Sequence, residues 1–184
     1  MGALDRLIRL FHHRWAVPIL AAIQRQSGVR FIYLVNGLGI PRDTVRRTLN
    51  ALTRMGLVRR NPGYGHPLRP EYVLTTRGAR SGPGCVALTA AVDRLGIGAT
   101  AWRKWTMPIV AVFAEGGGER RFSELRSVLS GVTARALALA LKEMEEAGLI
   151  GRRIIGDYPP SARYRLAPAG KRLAPILKTL VVRR

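Results

Sequence analysis

The sequence has little of several residue types, and each shortage excludes a class of protein. A single cysteine, Cys85, excludes an internal disulfide and any metal site built from several thiolates. The longest stretch without a charged residue, Ser81 to Val92, has 12 residues, fewer than the roughly 20 apolar residues of a membrane span. Asp5, Arg6 and Arg9 precede any apolar block, unlike the order in a secretory signal. We therefore expect a cytoplasmic protein with no membrane partner.

Acidic residues are also few, with 11 Asp and Glu against 31 Lys and Arg and a formal net charge of +20. A positive field this large in a small chain favours a polyanionic partner, and nucleic acid above other polyanions. Anionic lipid is the competing interpretation, because arginines flank one apolar helical stripe near the N-terminus. Such a stripe is more typical of packing between helices. It consists of Leu4, Leu7, Ile8 and Phe11.

The scarcity of carboxylates argues against catalysis. Eight of the 11 Asp and Glu lie in the second half of the chain and none stands in a paired acid–base motif. We therefore predict that the protein is not an enzyme and has no catalytic residue. His12, His13 and His66 lack the spacing and the acidic companions of a metal site, so neither a metal nor a cofactor is predicted.

The most informative feature of the sequence is an internal repeat. Trp15, Pro18 and Ile19 return 90 residues later as a tryptophan, a proline and an isoleucine. The offset grows to 91 after an extra residue in a glycine loop and to 92 after one further insertion. A period near 90 indicates a duplicated domain, and the halves carry similar net charges of +11 and +9. Pairs at the final offset include Leu49/Leu141, Gly56/Gly148, Arg60/Arg152, Tyr72/Tyr164, Leu74/Leu166 and Gly78/Gly170.

Each unit predicts three helices followed by a β-hairpin. Proline is tolerated in the first helical turn, so Pro18 and Pro108 indicate helix starts, and a second short helix follows in each unit. Apolar residues at helical spacing predict third helices from Pro41 to Met55 and from Thr133 to Ala147. The expected inward residues are Val45, Leu49 and Leu52 in the first unit and Leu137, Leu141 and Met144 in the second.

The ends of these elements carry their own signals. Thr133 is the expected N-cap of the last third helix, and Gly56 and Gly148 suit left-handed helix ends. Strands returning from Gly/Pro-rich tips are expected at Glu71 to Thr75 and Arg163 to Ala167. The predicted fold is mostly α with small β-hairpins, an α+β winged helix-turn-helix repeated in tandem.

Together these elements carry a family resemblance. The order is W-x-x-P-I, R-F-x-x-L, a helix ending in L-x-x-[LM]-x-x-x-G-L-[VI], an arginine, a proline-containing tip, Y-x-L and a glycine. It resembles the HxlR-type family of bacterial winged-helix transcription regulators, relatives of the MarR group. The resemblance covers nearly the whole chain, twice, and fails at residues 1 to 11 and around Ser81 to Ala101. Because similar family members carry one unit and act as homodimers, it implies a pseudo-dimer within one chain.

The resulting domain limits are 1–83 for the first unit, 84–101 for a linker helix and junction, and 102–184 for the second unit with a C-terminal helix. Residues 3 to 11, 84 to 96 and 169 to 182 are expected to form helices outside the winged cores. In the resembling family such helices dimerise. Whether they pair within one chain, as a monomeric pseudo-dimer, or between chains, as a homodimer, is left open.

In this fold the third helix enters the major groove of double-stranded DNA while the wing and flanking cations hold phosphates. The first unit predicts the better reading surface, because arginine can donate two hydrogen bonds to guanine. Its expected outward residues are Arg42, Asp43, Thr44, Arg46, Arg47 and Thr48. The second unit should add less affinity or face protein, since it presents Ala134, Arg135, Ala138, Leu139 and Ala140. Expected phosphate contacts from the wings are Arg59, Arg60, Arg69, Arg152 and Arg153.

The leading hypothesis is a sequence-specific transcriptional regulator that binds double-stranded DNA. The alternatives are a nonspecific architectural or RNA-binding protein and a protein-interaction scaffold with a degenerate second unit. A small-molecule effector is left open. Cys85 lies in a helix similar to one where some members of the resembling family use a cysteine as a sensor, although a lone cysteine is more often a small buried hydrophobe.

Overall fold

A computed structural model describes residues 2–62, 70–116, 118–156 and 161–180. Within these ranges the chain forms ten helices and six short strands. The helices are α1 (Ala3–Phe11), α2 (Ala16–Gln26), α3 (Phe31–Leu38), α4 (Arg42–Arg54), α5 (Thr76–Leu95), α6 (Gly98–Ala101), α7 (Thr106–Gly116), α8 (Phe122–Val128), α9 (Ala134–Glu146) and α10 (Pro168–Leu180). The strands are β1 (Val29–Arg30), β2 (Val58–Asn61), β3 (Glu71–Leu74), β4 (Arg120–Arg121), β5 (Ile150–Ile155) and β6 (Ser161–Leu166).

The two halves of the chain form the same winged-helix arrangement. Helices α2, α3 and α4 precede the β2–β3 hairpin, and helices α7, α8 and α9 precede the β5–β6 hairpin. Each hairpin is joined by a two-residue strand to make an antiparallel sheet, in the orders β1-β3-β2 and β4-β6-β5. The registers correspond as well, because Arg60 pairs with Tyr72 and Arg152 pairs with Tyr164. The predicted α+β winged-helix fold is therefore confirmed.

Both tryptophan–proline motifs start a helix, as predicted. Trp15 is the N-cap of α2, and its carbonyl accepts the Ile19 N–H at 3.0 Å. Helix α7 begins directly after Trp105, whose carbonyl accepts the Ile109 N–H at the same distance. Proline fits in such a first turn because its missing N–H has no partner there.

Helix α5 begins earlier than expected, at Thr76 rather than near residue 84. The Thr75 hydroxyl caps it by accepting the Gly78 N–H at 3.0 Å. Gly78, Gly82, Pro83 and Gly84 all lie inside α5, although glycine and proline are poor helix formers by propensity. The glycines are needed for close packing, since a Cβ at Gly78 would collide with the carbonyl of Leu57. The helix runs through the expected limit between residues 83 and 84, and the domain limits themselves stay a prediction.

Helices α5 and α10 join the two halves. Helix α5 packs against α2 of its own unit and against α10, which in turn packs against α7. Ser81 on α5 is buried, and its hydroxyl donates to the Leu180 carbonyl of α10 at 3.1 Å. Gly170 on α10 repeats the role of Gly78, because a Cβ there would collide with the carbonyl of Leu149. One apolar core therefore continues from the first unit into the second.

The N-terminal helix also contacts both units. Leu7, Leu10 and Phe11 of α1 are buried, and the helix packs against α2 and α7. The apolar stripe that suggested a lipid contact is thus used between helices. In the described ranges no helix combines the length and the hydropathy that crossing a bilayer requires.

Candidate nucleic-acid interface

Helix α4 follows the turn after α3 and has sharply different faces. Gly39 ends α3 with a φ of 62°, a left-handed conformation that favours glycine. Val45, Leu49 and Leu52 of α4 are buried, as predicted, which holds the helix against the body of the first unit. The opposite face is left to solvent.

Four charged residues lie exposed on the first two turns of α4: Arg42, Asp43, Arg46 and Arg47. Arg46 donates to the Asp43 carboxylate at 3.0 Å, and both side chains remain largely exposed. The guanidinium carbon of Arg42 lies 5.8 Å from the centroid of the Phe31 ring, a cation–π contact. Two guanidinium groups are thus partly oriented by neighbours, while Arg47 projects without a described partner.

Thr44 and Thr48 do not share that exposed face. Thr48 is only 4% exposed, and its hydroxyl donates to the Thr44 carbonyl at 2.8 Å. The prediction that Thr48 points outward was therefore wrong. It lies three positions after Val45, so helical geometry places it beside the buried stripe. Thr44 itself is half-buried.

Helix α9 is the counterpart of α4, and its outward face carries little charge in the first turns. Thr133 caps it as predicted, since the Ala136 N–H donates to the Thr133 hydroxyl at 3.2 Å. Arg135 and Ala138 are exposed, and Leu139 is 51% exposed. Ala134 is exposed too.

Ala140 was expected to face outward, and that prediction was wrong. Its side chain is 8% exposed, because it occupies the position equivalent to Thr48 beside the buried stripe. The positions equivalent to Arg46 and Arg47 are Ala138 and Leu139, at the offset of 92 residues. The second unit therefore presents a small apolar surface where the first presents guanidinium groups.

The wing arginines differ between the units in their ion pairs. Arg59 and Arg60 on β2 are exposed and form no ion pair with the described residues. Arg152 and Arg153 on β5 are exposed as well, but Arg153 donates to Glu119 at 3.0 Å. The second wing therefore holds one of its cations in an internal pair. Arg69 lies outside the described residues.

Adjacent residues of a strand point to opposite faces of the sheet, so neither wing can aim both of its arginines at one surface. Val58 on β2 is buried, which places Arg60 on the core side and Arg59 on the outer side. The buried Tyr164 pairs with Arg152 across β5 and β6, so Arg152 is the core-side residue of the second wing. Arg59 and Arg153 thus occupy the outer face.

Cys85 has the properties of a core residue rather than those of a reactive thiol. It is fully buried in α5, and burial raises the pKa of its thiol to about 12. The nucleophile in thiol chemistry is the thiolate, which this environment disfavours at neutral pH. The described conformation therefore gives the sensor hypothesis no physical support.

One cluster was missed by the sequence analysis. Arg9, Arg54 and Lys104 line one open cavity. They stand about fifty residues apart in the chain, and no local pattern links them. The packing of α1 against both α2 and α7 brings residues of the two units together at this cavity.

Comparisons with known proteins match both units to helix-turn-helix families. The HxlR-like helix-turn-helix family matches residues 101–182, and the IclR helix-turn-helix domain matches residues 16–62. The chain is 37% identical to the HTH-type transcriptional regulator YvaP of Bacillus subtilis over 50% of this chain and 79% of YvaP.

Two further proteins are similar. An HTH-type transcriptional regulator of Methanothermobacter thermautotrophicus is 35% identical over 42% of this chain, and the match spans only 57% of that relative's length. A solved MarR-family transcriptional regulator from Enterococcus faecalis V583 is 31% identical, with a TM-score of 0.42, over 51% of this chain and 78% of that one. The chain belongs to the HxlR-like helix-turn-helix family of transcriptional regulators.

Proposed function

We propose that the protein is a sequence-specific regulator that reads double-stranded DNA chiefly with helix α4. The exposed guanidinium face at the start of α4 carries this proposal, because arginine can donate two hydrogen bonds to the O6 and N7 atoms of guanine. The net charge of +20 supports it further, since cations that neutralise phosphates release counterions and strengthen binding. No catalytic step is part of the proposal, and the protein would act in the cytoplasm.

The two units should contribute unequally. In the first turns of α9, Arg135 is the cation that could contact a duplex, and it is surrounded by alanines and Leu139. In the second wing, Arg153 is already paired with Glu119. Alanine can contact a thymine methyl group but supplies no counterion release. The preferred site should therefore be an imperfect palindrome or a single strong half-site. Selection of bound sequences from a random duplex pool reports half-site symmetry and spacing together.

A pair of substitutions tests this asymmetry. Arg46→Ala should weaken binding to the selected duplex by about 1–3 kcal/mol, the value of a good bidentate contact, whereas Arg135→Ala should cost less. Both side chains are exposed, so neither change should alter folding. Titrations at one fixed salt concentration, with thermal unfolding as the control, compare them. Equal losses of affinity would overturn the asymmetry.

We further propose that one chain binds as a pseudo-dimer with limits at 1–83, 84–101 and 102–184. The packing of α5 against α10 supports this proposal, since these helices occupy the same position in each unit and contact each other within one chain. The mass of the protein–DNA complex tests it. One chain per site is expected, and two chains per site would favour a homodimer.

A protein-interaction role for the second unit is the competing function, and one observation favours it. Among the described residues, four of the six exposed large apolar side chains lie in the second unit. The DNA affinity of the Arg135→Ala variant distinguishes the two roles. If α9 faces a protein partner, that affinity should stay close to the wild-type value. The exposed residues are Val128, Leu139, Ile154 and Ile155.

A further inference from the structure

The cavity lined by Arg9, Arg54 and Lys104 lies at the junction of the two units. Its volume is about 420 Å³, within the range of small-molecule sites. Helix α1 and the last turn of α4 form the first-unit walls. Lys104, just before α7, and Ser130, between α8 and α9, line it from the second unit. Any molecule bound there touches the first recognition helix and the second unit at once.

The cavity carries an excess of positive charge. Arg9, Arg54 and Lys104 form no ion pair with described residues, while Lys104 lies over the Trp105 ring at 4.7 Å. Asp5 is the single carboxylate in the lining, and it accepts the Gly2 N–H at 2.9 Å. The carboxyl ends of α1 and α4 add about half a negative charge each, less than the three full cations. Concave cationic walls with this balance concentrate anions.

Two histidines add hydrogen-bonding capacity without cancelling that charge. His12 and His13 both line the cavity and their rings meet edge to face, with centroids 5.3 Å apart. Burial lowers the pKa of His13, and the neighbouring His12 and Arg54 lower it further. Near neutral pH the His13 ring is therefore an uncharged group with one N–H donor.

The rest of the lining is apolar. Ile8 of α1 and Ala51 and Met55 beside the end of α4 complete the cavity. A ligand complementary to both the cationic and the apolar parts of this lining has an anionic group attached to an apolar body. We propose that this cavity binds a small organic anion, a carboxylate or phosphate ester on an aromatic or aliphatic body, and that its binding couples the first recognition helix to the second unit.

A backbone phosphate of a bound DNA duplex could also supply the anion that occupies the cavity. Arg54 follows Arg42 by twelve residues, which at 1.5 Å per residue places it about 18 Å along the helix from the reading end. A duplex that takes the start of α4 therefore leaves this end free. We accordingly assign the cavity to a free small anion, and the experiment includes a duplex arm.

Binding is tested on the full chain without DNA, by calorimetry with phenyl phosphate and with benzoate. At least one probe should bind saturably with one site per chain. Arg54→Gln and Lys104→Gln should each weaken that binding about 10-fold or more, the effect of losing a hydrogen bond to a charged group. Arg25→Gln, which removes an exposed arginine of α2 outside the cavity, is the matched control and should bind like wild type.

A second readout uses His13. An anion in the cavity favours the protonated ring, so its pKa, followed by NMR, should rise when the probe is bound. Absence of saturable binding for both probes overturns the proposal. So does binding that neither Arg54→Gln nor Lys104→Gln weakens, or an equal loss with Arg25→Gln.

The coupling to DNA rests on the proposed function, and separate measurements keep the two apart. The probe should change the affinity for the selected duplex in wild type and not in Arg54→Gln. In Arg46→Ala the probe should still bind although DNA binding is weakened, so loss of one does not imply loss of the other. If a nonspecific duplex displaces the probe competitively from Arg46→Ala, the cavity belongs to DNA and the small-anion proposal fails.

Discussion

The proposed difference between α4 and α9 in DNA binding can be tested by placing the charges of α4 on α9. Ala138→Arg together with Leu139→Arg places guanidinium groups at the positions equivalent to Arg46 and Arg47. Both α9 positions are exposed, and Leu139 is 51% exposed, so longer side chains meet solvent rather than core. Arginine is nearly as good a helix former as alanine or leucine, so the cost in stability should stay below about 0.5 kcal/mol.

The size of the effect follows from counterion release. Each phosphate neutralised by a cation adds about 0.9 to the slope of log affinity against log salt, so two new contacts add about 1.8. A fourfold rise in salt then weakens the grafted protein about 12-fold more than wild type. The reciprocal change, Arg46→Ala with Arg47→Leu, should make the slope shallower by a similar amount.

The assay is a set of DNA titrations at several salt concentrations, on a duplex with two half-sites and on one with a single half-site. The graft should strengthen binding and steepen the slope on the duplex with two half-sites, with little change on the single one. Thermal unfolding checks that both variants fold. A grafted protein with unchanged affinity and slope on both duplexes would refute the placement of α9 at the DNA.

Three other predictions concern the folded chain. Gly78→Ala and Gly170→Ala should each lower the free energy of unfolding by about 1–3 kcal/mol, because the new Cβ meets a backbone carbonyl. Gly37→Ala is the control and should not lower it, since no atom lies within 4 Å of the Cβ position. Denaturant titrations compare the three variants. Thr133→Ala removes the N-cap of α9 and should cost about 1 kcal/mol in the same assay, and an unchanged midpoint would contradict the cap. The Cys85 thiol should react with a maleimide no faster than the chain opens, so rapid labelling of the native protein would be inconsistent with its burial.

Local chemistry made much of the fold predictable. Pro18 and Pro108 carry a backbone restriction that suits a first helical turn, and the helices start beside them. Gly56 and Gly148 adopt φ values of 68° and 66°, which few other residues tolerate. The repeat itself placed the third helices, since the apolar spacing of α4 recurs in α9.

Errors arose where a specific contact, rather than the propensity or polarity of the residue, decides the outcome. Gly78 is unfavourable in a helix by its own propensity, and only the nearby Leu57 carbonyl explains why α5 contains it. Thr48 is polar, but its hydroxyl is satisfied by a carbonyl one turn earlier, which allows burial. The pair of Arg153 with Glu119 spans 34 residues, and no spacing rule announces such a contact.

Fusing two units in one chain removes a constraint that a symmetric assembly imposes. In a homodimer every substitution occurs in both subunits, so a recognition helix cannot lose its arginines in one copy alone. Here Ala138 and Leu139 occupy the positions equivalent to Arg46 and Arg47, whereas Gly78 and Gly170 keep the same packing role. The covalent link also turns pairing of α5 with α10 into an intramolecular step that does not depend on protein concentration. The exposed faces of α4 and α9 therefore differ in charge, while the joining helices α5 and α10 keep the same close packing.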